Sequence, residues 1–335
     1  MKRLLVFCKT DWLHPGAGLV EHYAHEVLSR IADEGHYVAW VAHRPPSMGP
    51  GGQRPRVEVV DGIQVARIGM HRFYHTMMKM FLSSLTRRGP IADRFDLVLD
   101  FITHRPIDVA PYTEVPVIPV IFGLKARVHA APDPPGPIIV PDEANRQRLR
   151  AAGVPSKFIV RAPVGVDGRL LDMSPDSPAV PRVAVFDRRP HRVLRALSRL
   201  HGTGCVPEAV VHPHRRLYRR APNTIPAPAS QWGENCRNAT VAYCGIGMEH
   251  KSLVAQALGI PVLLPDTPAA REYVAGGETG LLHPPRGTKD LAEKLHVLLT
   301  EQTLRDTLGN RARQEACNRT WDKTARLILA TIENL

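Results

Sequence analysis

Short apolar runs rich in Val, Ile, Leu and Phe alternate with helix-periodic stretches along almost all of this 335-residue chain. Strands joined through helices pair in parallel, because the helix carries the chain back over the sheet before the next strand begins. The alternation therefore predicts an α/β protein built on parallel sheets with crossover helices. The first strand is expected at residues 4–8, and in the helix after it Val20, Ala24, Val27, Leu28 and Ile31 share one face. Gly35 closes that helix and a second strand is expected at 37–42. Further strands are expected at 64–68, 97–101, 117–122 and 138–141, with a short helix at 143–152.

A change of composition divides the chain. After IVRAPVGVD (159–167) comes the proline- and aspartate-rich LLDMSPDSPAVP (170–181), which places a boundary near residue 168. Two domains of about 150 residues each suit a chain of this length. The second half restarts with a strand at 182–186, a helix at 190–200 and a strand at 209–212. A helix at 289–299 and two final helical segments close it. The expected domains are 1–167 and 168–315, with 316–335 leaning back onto the first.

The start MKRLLVFCKTDW reads as a strand rather than a signal peptide, since its apolar run ends at Lys9. No run reaches the roughly 18 apolar residues of a transmembrane helix, and a cytoplasmic protein is expected. Five cysteines without CxxC pairing point to no structural zinc and no disulfide. The net charge of +12 favours anionic partners, namely nucleic acid, acidic lipid or nucleotide phosphates. Arginine excess with 31 prolines equally fits a GC-rich genome, and the two readings stand side by side.

CGIGMEHKSLVAQALGIPVLLPDTPAAREYVAGGETGLLHPP (244–285) carries the most chemistry. It reads as a glycine-broken loop, a short helix, a buried strand and a second loop. A loop rich in N–H groups that opens a helix suits a diphosphate, which makes Gly247, Lys251 and Ser252 candidate donor-site residues. Glu249 and Glu272 offer carboxylates for hydroxyl groups. Phosphate and hydroxyls together describe a nucleotide-sugar. In the first loop, Gly16 and Gly18 let backbone approach a ligand before a helix. The loop is not the G-x-G-x-x-G fingerprint, so nicotinamide chemistry is disfavoured.

His104 follows a strand at the carboxyl edge where α/β sheets place ligands. The Met- and aromatic-rich stretch at 71–90 reads either as a core helix or as an amphipathic helix on anionic membrane, the former being favoured. The basic run at 212–220 reads as a solvated loop or a phosphate-tracking patch, again with the plainer reading ahead.

The run AGLVEHYAHEVLSRIADEGHYVAWVA (17–42) resembles the start of the family 4 retaining glycosyltransferases, with Ala17, Gly18, Glu21, His25, Glu26, Gly35, His36 and Val38 in frame. DGIQVARIG, FDLVLD, VPDEANRQRLRAAGVPSKFIV, PVGVD, ALGIPVLLP, TGLLHPP and TWDKTARLIL follow in the family's order. The resemblance implies the GT-B fold, two Rossmann-like domains facing across a cleft. It implies a UDP- or GDP-sugar on the second domain, a hydroxyl acceptor on the first, and transfer with retention and no metal or cofactor. In that frame Arg188, with Arg189 or Arg192, stabilises the departing diphosphate and Glu272 keeps the family's loop carboxylate, while position alone makes Lys251, at the mouth of the helix near Ser252, a further diphosphate candidate and sets His104 to contact the acceptor or the transferred sugar.

The chain also departs from the pattern. Ile246 and Val254 stand where the family has two glutamates, the second of which holds ribose. Leu19 replaces the second glycine of A-G-G, Phe122 and Gly123 replace histidines, and Val164 replaces an asparagine. These changes leave a competing expectation, a non-catalytic binding or scaffold subunit of the same fold. The expected acceptor is a glycan, a lipid-linked glycan or a natural product, with DNA and peripheral membrane contact also admitted by the charge.

Overall fold

The computed structural model describes residues 1–14, 17–44, 55–70, 94–102, 115–122, 134, 136–212, 223–227 and 231–335. Gly16, His104, the stretch at 71–90 and nearly all of the run at 212–220 lie outside these residues. The chain forms two compact units, Met1–Val164 with Trp321–Leu335, and Gly165–Thr320. The division thus falls at 164/165 rather than 167/168, and the chain rejoins the first unit at 321 rather than 316.

The first unit holds strands β1 (Arg3–Phe7), β2 (Tyr37–Arg44), β3 (Val57–Val60), β4 (Ile63–Met70), β5 (Leu97–Ile102), β6 (Val117–Ile121), β7 (Ile138–Val140) and β8 (Ile159–Arg161). They lie in the order β3-β4-β2-β1-β5-β6-β7-β8. Every pairing is parallel except β3 with β4. That hairpin, not foreseen from the sequence, turns at Asp61-Gly62, both with positive φ of 51° and 73°. Two left-handed residues make the turn that matches the twist of the flanking strands.

Helix α1 (Leu19–Asp33) packs its Tyr23, Ala24, Val27, Leu28 and Ile31 face inward. Its start is fixed by Glu21, whose Oε2 accepts the Gly18 N–H at 2.9 Å. Helix α2 (Glu143–Ala151) is capped by Asp142, which accepts the Asn145 N–H at 2.6 Å. The last helix of the chain (Trp321–Glu333) belongs to this unit because it is bonded to α1 and its neighbours. Tyr23 meets Trp321 edge-on at 5.4 Å and donates to the Ala162 carbonyl at 2.8 Å. Thr324 donates to the Pro163 carbonyl at 2.7 Å, and Arg30 pairs with Asp322 at 2.7 Å.

The second unit holds β9 (Arg182–Phe186), β10 (Glu208–His212), β11 (Thr224–Pro226), β12 (Val241–Cys244), β13 (Val262–Pro265) and β14 (Leu281–His283). The order is β11-β10-β9-β12-β13-β14, parallel throughout. It is the 3-2-1-4-5-6 order of the doubly wound dinucleotide fold. On one sheet face, helix α3 (His191–Leu200) and a helix at Thr288–Thr300 enclose Val183, Val185, Leu197, Tyr243, Leu263 and Leu295. On the other, helix α4 (Trp232–Arg237) and helix α5 (Ser252–Ala257) enclose Phe186, Trp232, Cys236, Cys244 and Leu264. No described helix is long and apolar enough to cross a membrane.

Candidate functional site

In the second unit the chain order reverses between β9 and β12, since β10 and β11 lie on one side and β13 and β14 on the other. In such sheets the crevice at the carboxyl ends of the two reversing strands is where ligands bind. Here that point is made by Asp187 and Gly245. The Asp187 N–H donates to the His212 carbonyl and the Gly245 N–H to the Phe186 carbonyl, each at 2.9 Å. Both loops therefore start from fixed positions.

A cavity of about 410 Å³ opens there, lined by Asp187, Arg188, Arg189, His191, Arg192, Tyr243, Ile246, Pro265 and Pro285. Its size suits a small-molecule ligand, and its charge is strongly positive. The Arg188 and Arg189 guanidinium groups are exposed and form no ion pair among the described residues. Arg192 donates to the Pro285 carbonyl at 2.6 Å. Asp187 is the one carboxylate among the described residues of the lining; burial pushes its pKa up, opposed by the Arg189 N–H and by the charges of His191 and Arg192. Tyr243 is buried, with its phenol pushed up by burial, and stacks on His283. Burial pushes His283 down, which favours the neutral ring.

The residues singled out in 244–252 sit elsewhere. Gly247 has φ +78° and completes a turn closed by the Met248 N–H on the Gly245 carbonyl at 3.0 Å. The expected phosphate-binding helix is α5, only six residues long and entered through a 3-10 turn at Glu249–Lys251. Its first N–H groups are taken up by that turn, with Lys251 N–H bonded to the Met248 carbonyl. Ser252 is fully buried; its hydroxyl donates to the Glu249 carbonyl at 2.7 Å and accepts from Gln256 at 3.1 Å.

The Lys251 ammonium lies 5.3 Å from the Phe186 ring centroid, and burial lowers its pKa although Cys244 and Cys236 nearby oppose that. It lines the apolar layer under the sheet rather than the cavity. Glu249 is buried and Glu272 half-buried, and neither lines the cavity. Val254 packs in the apolar cluster between α4 and α5. In the first unit the Gly18 N–H is already used by Glu21. Among the described residues, the donor-site candidates that the structure brings to one cavity are Arg188, Arg189 and Arg192.

Residues 245–315 match the family described as Glycosyl transferases group 1. The matched segment lies wholly within the second unit. It begins at Gly245, the residue after β12, and runs through α5, β13, β14 and the two helices that follow. The capsular polysaccharide biosynthesis glycosyltransferase CapM of Staphylococcus aureus is 34% identical over 73 residues, 22% of this chain and 19% of CapM. The match thus spans about a fifth of that relative's length.

Two solved structures extend the likeness in fold to the whole chain. Sucrose-phosphate synthase from Thermosynechococcus elongatus has a TM-score of 0.76 at 14% identity, covering 100% of this chain and 99% of that one. Anabaena HepE, solved with UDP and glucose, has a TM-score of 0.70 at 13% identity with full coverage of both chains. The fold class is the α/β GT-B type, two Rossmann-like units.

Beyond the group 1 segment, the first unit has its own reversal point, between β1 and β5. Asp100 pairs in register with Phe7 there, next to Cys8. It is 4% exposed, has no hydrogen-bond partner among the described residues, and is pushed up to about 8 by burial. Below that pH it is a neutral acid able to donate a hydrogen bond. Close by, Glu21 accepts from Thr10 at 2.6 Å. The sequence reading missed Asp100, Asp187, His191, Tyr243 and Pro265. The one available signal was position, since Asp100 and Asp187 each sit at the carboxyl end of a strand.

Proposed function

We propose that this chain is a glycosyltransferase that moves a sugar from a UDP- or GDP-sugar to a hydroxyl acceptor with retention of anomeric configuration. The observation that carries the reading is the arginine-rich cavity at the β9–β12 reversal, opening on the group 1 segment. Arg188 and Arg189, unpaired among the described residues, hold the diphosphate and stabilise the charge that develops as it departs. Arg192 and His191 add to the same field. Ile246, Pro265 and the Tyr243 ring give an apolar wall for the base. This division of labour needs neither metal nor organic cofactor. The UDP and glucose in the complex of HepE, a protein of the same fold, support a nucleotide-sugar here.

The first unit takes the acceptor, with Asp100 at its reversal point as a hydrogen-bonding group. A glycan acceptor is favoured, since CapM serves capsular polysaccharide biosynthesis. Lipid-linked glycans, natural products and DNA form the remaining arms of an acceptor screen, with anionic vesicles to register peripheral contact from the cytoplasmic side.

A second reading, a non-catalytic binding or scaffold subunit, draws on one observation. Lys251 is turned into the apolar layer while Ile246 and Val254 occupy the family's glutamate positions. Calorimetry with UDP, GDP and their glucose conjugates, followed by turnover of the conjugate that binds, separates the two. Binding with product formation supports the enzyme; binding without turnover supports the subunit. Absence of binding by every nucleotide sinks the donor site itself.

A further inference from the structure

We infer that Asp187 holds the ribose of the donor, its free carboxylate oxygen accepting from the ribose hydroxyls. The inference deepens the donor-site reading and rests on it.

Asp187 stands in a loop with Arg188, Arg189, His191 and Arg192, yet forms no ion pair with any of them. Its Oδ1 is fixed by the Arg189 N–H at 2.8 Å. Among the described residues, Oδ2 has no hydrogen-bond partner. A carboxylate so close to several cations ordinarily collects one. Here one oxygen is anchored by backbone, which sets the plane of the group, and the other has no partner among the described residues.

Gly245 makes this arrangement possible. A Cβ at residue 245 would lie 2.3 Å from the Asp187 Cγ and 2.6 Å from each carboxylate oxygen. With glycine there, the carboxylate lies against the chain at the strand reversal.

The chemistry then selects the part of the donor. A carboxylate repels phosphate and accepts from hydroxyl groups, so Asp187 and the arginines take different parts of one molecule. The cavity offers an apolar wall, one carboxylate and several cations within about 410 Å³. The ribose joins the base to the phosphates, and it is the hydroxyl-bearing part that belongs between the wall and the cations. An acidic side chain at a strand end is a proven ribose partner in doubly wound folds. Among the described residues no other carboxylate competes, because Glu249 and Glu272 do not line the cavity.

The test compares UDP and GDP with their 2′-deoxy forms by calorimetry on the full chain. The unaltered protein should bind the ribose form at least about tenfold more tightly than the deoxy form. Asp187→Asn should weaken UDP or GDP to the level of the deoxy form while leaving the deoxy form nearly unchanged. Arg188→Ala should weaken ribose and deoxy forms by the same factor. A thermal melt of each variant checks that it folds, and the ratio in the unaltered protein stands without any variant. Equal affinity for ribose and deoxy forms overturns the inference but leaves the donor site standing, as does an unchanged ratio in folded Asp187→Asn. Failure of every nucleotide and of pyrophosphate to bind overturns both.

Discussion

A Cβ on Gly245 would lie 2.3 Å from the carboxylate carbon of Asp187, so the Asp187 side chain can lie where it does only because residue 245 has no side chain. The backbone already holds the ends of β9 and β12 close through the Gly245 N–H and the Phe186 carbonyl at 2.9 Å. The methyl group therefore has no direction in which to escape except by moving Asp187. Gly245→Ala is expected to destabilise the second unit by about 1–3 kcal/mol, the usual cost of overpacking. Asp187→Ala in the same chain should recover most of that loss. Urea midpoints for the two single variants and the double variant measure the coupling.

Asp100 gives a pH dependence with a defined sign. Its folded-state value is about 8, whereas an unfolded carboxyl titrates near ~3.9. Between these values the unfolded chain has released the proton and the folded chain still holds it. Stability from this group is thus complete below about pH 4 and is lost as pH rises toward 8. Asp100→Asn keeps the shape without the charge. It is expected to flatten that fall and to be more stable than the parent at pH 8 by about 1–3 kcal/mol. Urea midpoints at about pH 5 and about pH 8 check it.

Lys251 tests the distinction between the cavity and the apolar layer behind it. Burial already disfavours its charge. Lys251→Met should leave stability equal or higher by up to about 2 kcal/mol, and should change nucleotide affinity by less than about threefold. A loss of binding with fold intact would return Lys251 to the donor site.

Arg188 and Arg189 are exposed and unpaired among the described residues, so replacing them costs the fold little. Arg188→Ala and Arg189→Ala are each expected to weaken UDP or GDP about tenfold, the value of one charge-assisted bond. The salt dependence of binding should become shallower in the same variants. Titrations at two ionic strengths read both effects.

Tyr23 ties the last helix to the first unit through its ring against Trp321 and its hydroxyl on the Ala162 carbonyl. Tyr23→Phe keeps the ring and strands a buried carbonyl, at a cost of about 1–3 kcal/mol. Trp321→Ala removes the ring partner and should cost about 3–5 kcal/mol. Thermal melts rank the two.

Periodicity sufficed for most of the fold. The 3.6-residue spacing of Val20, Ala24, Val27, Leu28 and Ile31 marks a buried helix face whatever surrounds it. Runs such as RVAVF and VAYC are apolar on both sides because parallel strands are covered on both faces. The hairpin at Asp61-Gly62 and the three-residue β11 and β14 carried too little pattern to stand out.

The site was less legible, because a side chain's direction depends on how its loop is closed. Lys251, Ser252 and Glu249 have the residue types of a phosphate and hydroxyl site. A 3-10 turn and a six-residue helix set Lys251 against the apolar layer and bury Ser252 and Glu249. By itself the sequence determined the alternation of strands and helices, the two-unit organisation and the likeness of residues 245–315 to the group 1 family, since these depend on local order along the chain. Tertiary structure alone decided which charges share a cavity. Asp187 and Gly245 are 58 residues apart, and the pairing of β9 with β12 is what sets a carboxylate against a glycine at the reversal of the sheet.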